Sequence, residues 1–202
     1  MQKILIATAN RGKVVELREM LAALPIEIVS LADLESIEDV PETGSTFVEN
    51  SSIKAIGYAT QTGLHALADD SGLEVMALDG RPGVLSARYG GDDLNFSEKI
   101  EKLLDEVRET GSNDRRARFV CSIAFASPDG RILKATAGIC DGHLADAPRG
   151  SGGFGYDPVF VPKGFDQTFG ELSGDIKAGI SHRARAFSQI IPYLRDFMAF
   201  LT

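Results

Sequence analysis

The sequence lacks a long apolar run, a surplus of positive charge and all but two cysteines. No segment is apolar for long enough to cross a bilayer, and the opening run Ile4–Ala7 is followed at once by Arg11 and Lys13, a pattern that fits no signal peptide. With 21 Lys and Arg against 29 Asp and Glu, the net charge of -8 argues against a general binder of nucleic acid or of anionic membranes. An anionic ligand therefore needs a local basic pocket. The cysteines, Cys121 and Cys140, form no C-x-x-C motif. A hairpin that pairs residue 128 with residue 131 sets Cys140 opposite Phe119, so a disulfide is possible only diagonally and is not expected. Both read as reduced core thiols of a cytoplasmic protein. What is present is ordinary: 44% hydrophobic and 25% charged residues over 202 positions suit one large domain or two tightly joined lobes.

Against that background one stretch stands out, Ala68-Asp69-Asp70-Ser71-Gly72. Leu64–Ala68 before it reads as a buried strand, and Ser71-Gly72 is expected to break that strand. Two like charges side by side repel and lose hydration, and a cation between or beside them relieves both. The pair reads either as an acidic turn bonded to backbone amides or as a seat for Mg2+ and substrate; the pentapeptide alone does not choose.

The rest of the chain alternates strands and helices. Gln2–Thr8 predicts a strand covered on both faces, and Asn10-Arg11-Gly12-Lys13 a tight turn into a helix whose buried stripe is Val14, Leu17, Leu21 and Leu24, ended by Pro25. A strand–turn–helix with Thr8, Asn10, Gly12 and Lys13 at the turn reads either as an ordinary helix cap with an exposed Lys13 or as an anion site of helix-terminal amides and a cation, although P-loop spacing is absent. Ile26–Val29 predicts a second strand. Thr46-x-x-Glu49 is a capping box that starts a helix running to Gly63, with Phe47, Val48, Ala55 and Ala59 expected inward and Asn50 and Lys54 sharing a face. By itself Lys54 reads as a surface lysine. Leu73–Leu78 predicts a strand, Phe96–Val107 an amphipathic helix, and Arg115–Ala126 with Ile132–Cys140 a hairpin about Pro128-Asp129-Gly130, which makes the sheet mixed. Ser151–Pro158 sets Phe154 and Tyr156 among glycines, the pattern of a ligand loop with a ring to stack on a base, and Val159–Val161 follows as a strand. A helix from His182 to about Phe200, bent or split at Pro192, opens with His182, Arg183 and Arg185, cations that its dipole disfavours.

Six motifs then fall in order: Thr8-Ala9-Asn10-x-x-Lys13, Glu42-Thr43-Gly44-x-Thr46-Phe47-x-Glu49-Asn50, Asp69-Asp70-Ser71-Gly72, Pro82-Gly83-x-x-Ser86-Ala87-Arg88-Tyr89, Gly153–Pro158 and Ser181-His182-Arg183. Together they resemble the inosine/xanthosine triphosphate pyrophosphatase (Ham1-like) family. The resemblance implies one α/β domain over residues 1–202, with an elongated mixed sheet, flanking helices and two lobes around a nucleotide cleft. It implies hydrolysis of deaminated purine nucleoside triphosphates (ITP, dITP, XTP) to monophosphate and pyrophosphate with Mg2+, in a cytoplasmic homodimer with no nucleic-acid or membrane partner.

The same resemblance assigns roles. Asp70 is the acid that activates water and contacts the metal, helped by Glu42 and by Asp69 beside it. Thr8, Ala9, Asn10, Arg11, Gly12, Lys13, Lys54 and Ser71 hold the phosphates. Phe154 stacks on the base, and Gly155, Tyr156, Asp157, Lys177, His182 and Arg183 complete the pocket, Arg183 reading the keto edge. Two departures stand out: Ser51-Ser52 where the family has an alanine first, and Asp175-Ile176-Lys177 in place of the usual Glu–Lys neighbourhood. A Maf-type pyrophosphatase would carry a Ser-rich turn with paired arginines after the first strand, and a haloacid-dehalogenase phosphatase an Asp-x-Asp there; neither stands in this sequence. A non-catalytic nucleotide sensor would have no need of both Asp69 and Asp70 beside phosphate-site lysines.

Overall fold

The structure is a computed structural model that describes residues 2–200. Its strands are β1 (Gln2–Ile6), β2 (Ile26–Ser30), β3 (His65–Val75), β4 (Arg116–Ala126), β5 (Ile132–Leu144) and β6 (Phe160–Pro162). Its helices are α1 (Arg11–Leu21), α2 (Phe47–Thr62), α3 (Phe96–Glu109), α4 (Gly174–Ile180) and α5 (His182–Phe200). The strands form one sheet in the order β2-β1-β3-β4-β5-β6. β1 runs parallel to β2 and β3, while β5 and β6 are antiparallel, so the sheet is mixed as expected. The chain divides into two compact units: the first runs through Asp70 and adds Cys121–Gly138 and the residues from Arg183 on, the second comprises Ser71–Val120 and Ile139–His182.

In the first unit the unbroken apolar run of β1 is explained by burial on both faces. Ile4 and Ile6 join Leu67, Cys121, Ile123 and Phe125 under α1 (Leu17, Leu21) and α5 (Ala186, Phe187, Ile190, Leu194). Leu5 and Ala7 join Ala66, Ala68, Ala124 and Ala126 under α2 (Ala55, Tyr58, Ala59). One face is built of large side chains and the other of alanines, which let α2 lie close to the strands. α2 itself buries residues 47, 50, 51, 54, 55, 58 and 59, a helical period that includes the polar Asn50, Ser51 and Lys54. Its cap is as expected, with Thr46 and Glu49 bonded reciprocally and Gly63 left-handed at its end. The second unit packs Ile100, Leu103, Leu104 and Val107 of α3 against Leu73, Val75, Phe119, Tyr156 and Phe160.

Several expectations are corrected. β3 passes through Ser71-Gly72 unbroken, because glycine permits a turn without imposing one and the buried Leu73 and Val75 keep the segment in the sheet. The strand ends at Val75, and Met76–Leu78 is a 3-10 turn. Val48 is half exposed, since the polar Asn50 and Lys54 occupy the stripe that hydrophobicity alone would give it. α1 ends at Leu21 ahead of Pro25, β5 extends to Leu144, β6 begins at Phe160, and α5 continues through Pro192. The short α4 has no counterpart among the expected elements. Cys121 and Cys140 are buried free thiols.

The alanine face yields a stability test. Ala59→Leu inserts volume where α2 lies on the sheet and should cost about 1–3 kcal/mol in urea unfolding, whereas Val48→Leu on the outer side of the same helix should be near neutral.

Candidate active site

Adjacent residues of a strand point to opposite faces. On β3, Ala66 and Ala68 lie under α2 and Leu67 lies under α1 and α5, so Asp70 continues the first row and Asp69 the second. The two carboxylates therefore meet different partners. Asp69 Oδ2 takes an ion pair from Lys13 Nζ at 3.0 Å and hydrogen bonds from Nε and Nη2 of Arg183 at 3.4 Å. Arg183 also donates through Nη1 to Glu16, one turn beyond Lys13 on α1. Asp70 Oδ1 receives Lys54 Nζ of α2 at 3.4 Å, and the same ammonium donates to Glu42 at 2.7 Å. Lys54 is 8% exposed, so the surface-lysine reading is overturned: two carboxylates supply the partners its buried charge needs.

The electrostatics follow this separation. Burial would push the Asp69 carboxyl up, but Lys13, Arg183 and Lys54 outweigh it and hold it well below the usual carboxylate range. Burial pushes Asp70 up, and the charge of Glu42 adds to it, so that Lys54 and Lys13 only partly offset the rise. Burial would lower the Lys54 ammonium, yet Asp70, Asp69 and Glu42 raise it, which keeps it charged. Asp70 Oδ2 is buried and accepts no hydrogen bond from the chain among the described residues. One carboxylate is tied into a charge network that lowers its proton affinity; its neighbour keeps a raised one.

Local backbone chemistry places these groups. Glu49 Oε2 accepts from Ser45 N and Thr46 N at 2.7 and 3.1 Å, and Asn50 Oδ1 accepts from Gly44 N at 2.8 Å. A Cβ at Gly44 would stand 2.6 Å from Glu49 Cβ, so only glycine lets the loop fold back and bring Glu42 to Lys54. At α1, Asn10 Oδ1 accepts from Lys13 N at 3.1 Å, and Thr8 Oγ1 from Asn10 N at 3.3 Å. The amides of Arg11 and Gly12 belong to the opening turn, where no carbonyl of the helix accepts from them, a setting that favours anions.

The second unit holds the other expected residues. Asp157, 2% exposed, accepts at Oδ2 from Phe154 N at 2.8 Å and from Lys177 Nζ at 2.6 Å. Gly153 has φ +71°, and a Cβ there would meet Asp157 Oδ2 at 2.0 Å. Lys177 Nζ, carried by α4, lies 4.7 Å from the centroid of the Phe154 ring. Tyr156 Oη donates to Ser86 O at 2.9 Å, and His182 stacks on Phe119 at 4.7 Å. Ser71 and Gly155 belong to this unit as well. His182 and Arg183, neighbours in sequence, fall to different units. Glu16 has no place among the residues read from the sequence; the spacing of Lys13 and Glu16, three apart on one helix face, is the available signal.

A profile of the Ham1 family matches residues 4–193. The chain belongs to the Ham1 family. Among its relatives in that family, a protein of Oceanobacillus iheyensis named dITP/XTP pyrophosphatase is 47% identical over 96% of this chain and 98% of its own length. One of the same name from Bradyrhizobium sp. is 46% identical over 96% and 94%. The solved structure of a HAM1 protein from Coxiella burnetii superimposes with a TM-score of 0.89 at 41% identity, covering 97% of this chain and 100% of that one. The Staphylococcus aureus Ham1 protein gives 0.84 at 39%, with both chains fully covered.

The charge network of Asp69 makes a testable claim about stability. Asp69→Asn should cost about 3 kcal/mol at neutral pH, because it leaves Lys13 and Arg183 short of a buried counter-charge. With the folded value below the unfolded one of about 3.9, the stabilisation is present above that pH and lost as pH falls through the folded value. Denaturant unfolding should therefore show wild type and Asp69→Asn converging below about pH 4.

Proposed function

We propose that this chain hydrolyses the deaminated purine nucleoside triphosphates ITP, dITP and XTP to their monophosphates and pyrophosphate. The observation that carries the chemistry is Asp70, a buried carboxyl with raised proton affinity and an unused oxygen beside Lys54 and Glu42. The substrate class is supported by near full-length relatives named dITP/XTP pyrophosphatase. Asp70 accepts the proton of the water that attacks the α-phosphorus, a role usually worth about a hundredfold or more. Lys54, kept charged by its carboxylates, and Lys13 with the amides of Arg11 and Gly12 hold the phosphates, as do Thr8, Ala9, Asn10 and Ser71. These cations and amides favour the departing pyrophosphate in a protein of otherwise negative charge.

The donor set suits Mg2+. Among the described residues no three acidic, histidine or cysteine side chains converge, but Mg2+ takes only one or two carboxylates along with substrate phosphates and water. Asp70, through Oδ2, and Glu42 would hold it. Bound there, it supplies charge neutralisation of phosphate oxygens.

Phe154 stacks on the base, oriented by Asp157 and Lys177, with Gly155, Tyr156 and His182 shaping its surroundings. Arg183, fixed by Asp69 and Glu16, is the proposed donor to the purine keto edge. Adenine presents an amino group there and offers such a donor no acceptor. We further propose a cytoplasmic homodimer. No helix among the described residues is long and apolar enough to cross a membrane.

Pyrophosphate release from ITP, dITP, XTP, GTP and ATP tests the substrate class: the first three should dominate, with loss on chelation and recovery on adding Mg2+, and equal turnover of all five would overturn the reading. Asp70→Asn should lower kcat by about a hundredfold or more while leaving the melting temperature unchanged or higher. The sign follows from the raised folded value: at neutral pH the ionised Asp70 is less favourable folded than unfolded, and a neutral amide relieves that. Sedimentation at micromolar concentration should give twice the mass of the 21.7 kDa chain, and a single-chain mass would remove the dimer.

A further inference from the structure

We propose that Lys99 is a positioning residue for the Phe154–Asp157 loop, an inference that rests on the reading of that loop as the base-binding element. Lys99, on α3, is 5% exposed, and a buried ammonium ordinarily meets a carboxylate. Here its hydrogen bond goes instead to a backbone carbonyl, Ala87 O, at 2.7 Å. Its charge also lies 5.4 Å from the centroid of the Phe96 ring. Both contacts lead to the loop.

The first runs along the backbone. Ser86 O, the carbonyl immediately before that of Ala87, accepts the Tyr156 hydroxyl at 2.9 Å. The Ser86 side chain accepts from Leu73 N at 2.9 Å and donates to Gly83 O at 2.7 Å. Lys99 thus adds to the hold on a strip of chain whose buried Ser86 carbonyl anchors Tyr156. The second runs through the rings. Phe96 meets Tyr156 edge-on, with centroids 5.6 Å apart and planes at 88°. The Phe96 ring also lies where a Cβ at Gly155 would come within 3.6 Å of it, so the loop rests directly on it. Tyr156 and Gly155 are the residues that follow Phe154. A lysine reaching one residue's carbonyl and one ring therefore sets the loop from below without any need to touch the nucleotide.

The test separates positioning from general stability. Lys99→Met keeps the apolar stem and removes the donors and the charge. It should raise KM for dITP on the order of tenfold, with kcat within about twofold, because the phosphate-handling groups are unaffected. Inhibition by inorganic tripolyphosphate, which has no base, should be unchanged, and Lys99→Arg, which restores a cationic N–H donor, should recover most of the loss. If Lys99→Met folds poorly, Lys99→Gln is read in its place by the same two measurements. An unchanged KM for dITP, or an equal loss for dITP and tripolyphosphate, would overturn the proposal. Phe154→Ala distinguishes the two levels. If it raises KM for dITP while the Lys99 variants do not, the positioning role falls alone; if it too leaves KM unchanged, the base-loop reading falls and takes this proposal with it.

Discussion

A β-strand turns successive side chains to opposite faces, and this constraint on β3 governs the chemistry of the first unit. Asp69 and Asp70 are covalent neighbours, yet one faces the helices that carry Lys13, Glu16 and Arg183, and the other faces the helix that carries Lys54. The backbone is extended through both residues. Because it stays extended, each acquires its own partners and its own proton affinity. Asp69 is tied to Lys13 and Arg183, whose charges hold its proton affinity down; Asp70 is held by a lysine that it shares with Glu42, and its proton affinity is raised.

The same economy of backbone placement recurs in the loops. The capping box of α2 does more than start a helix: Glu49 and Asn50 draw the preceding loop back, and Gly44 admits that close return, so that Glu42 reaches Lys54. In the second unit Asp157 accepts both a backbone amide and a lysine, and only a glycine at 153 leaves room for its carboxylate. In both cases a polar side chain is buried because the backbone beside it supplies hydrogen bonds, which offset the loss of water.

Buried lysines are the common thread. Lys54, Lys99 and Lys177 are each less than a tenth exposed, and each meets a different acceptor: a carboxylate pair, a peptide carbonyl, and a single aspartate beneath an aromatic ring. A long apolar stem lets such a residue fill core space while its charged end fixes a loop or a carboxylate. Hydrophobic patterning sees these positions as gaps in an apolar stripe. That is why Val48 was expected inward and Lys54 outward.

The order and type of most elements are legible in the sequence, since apolar periodicity, capping residues and glycine or proline punctuation act over a few residues. Thr46-x-x-Glu49 set the start of α2, and the alternation of Arg116–Ala126 marked a long strand. The motifs also named the residues that the structure gathers into two groups, and they pointed to the family. What each of those residues faces is set by contacts between distant parts of the chain. Whether β3 ends or continues at Gly72 depends on neighbouring strands and on the burial of Leu73 and Val75, not on the local dihedral freedom of glycine. Whether Lys54 is solvated depends on Glu42, brought to it by a loop closed through Asn50. Whether Arg183 lies at a surface depends on Asp69 and Glu16, far from it along the chain. These are long-range electrostatic and packing terms, and no local pattern encodes which distant charge will meet which.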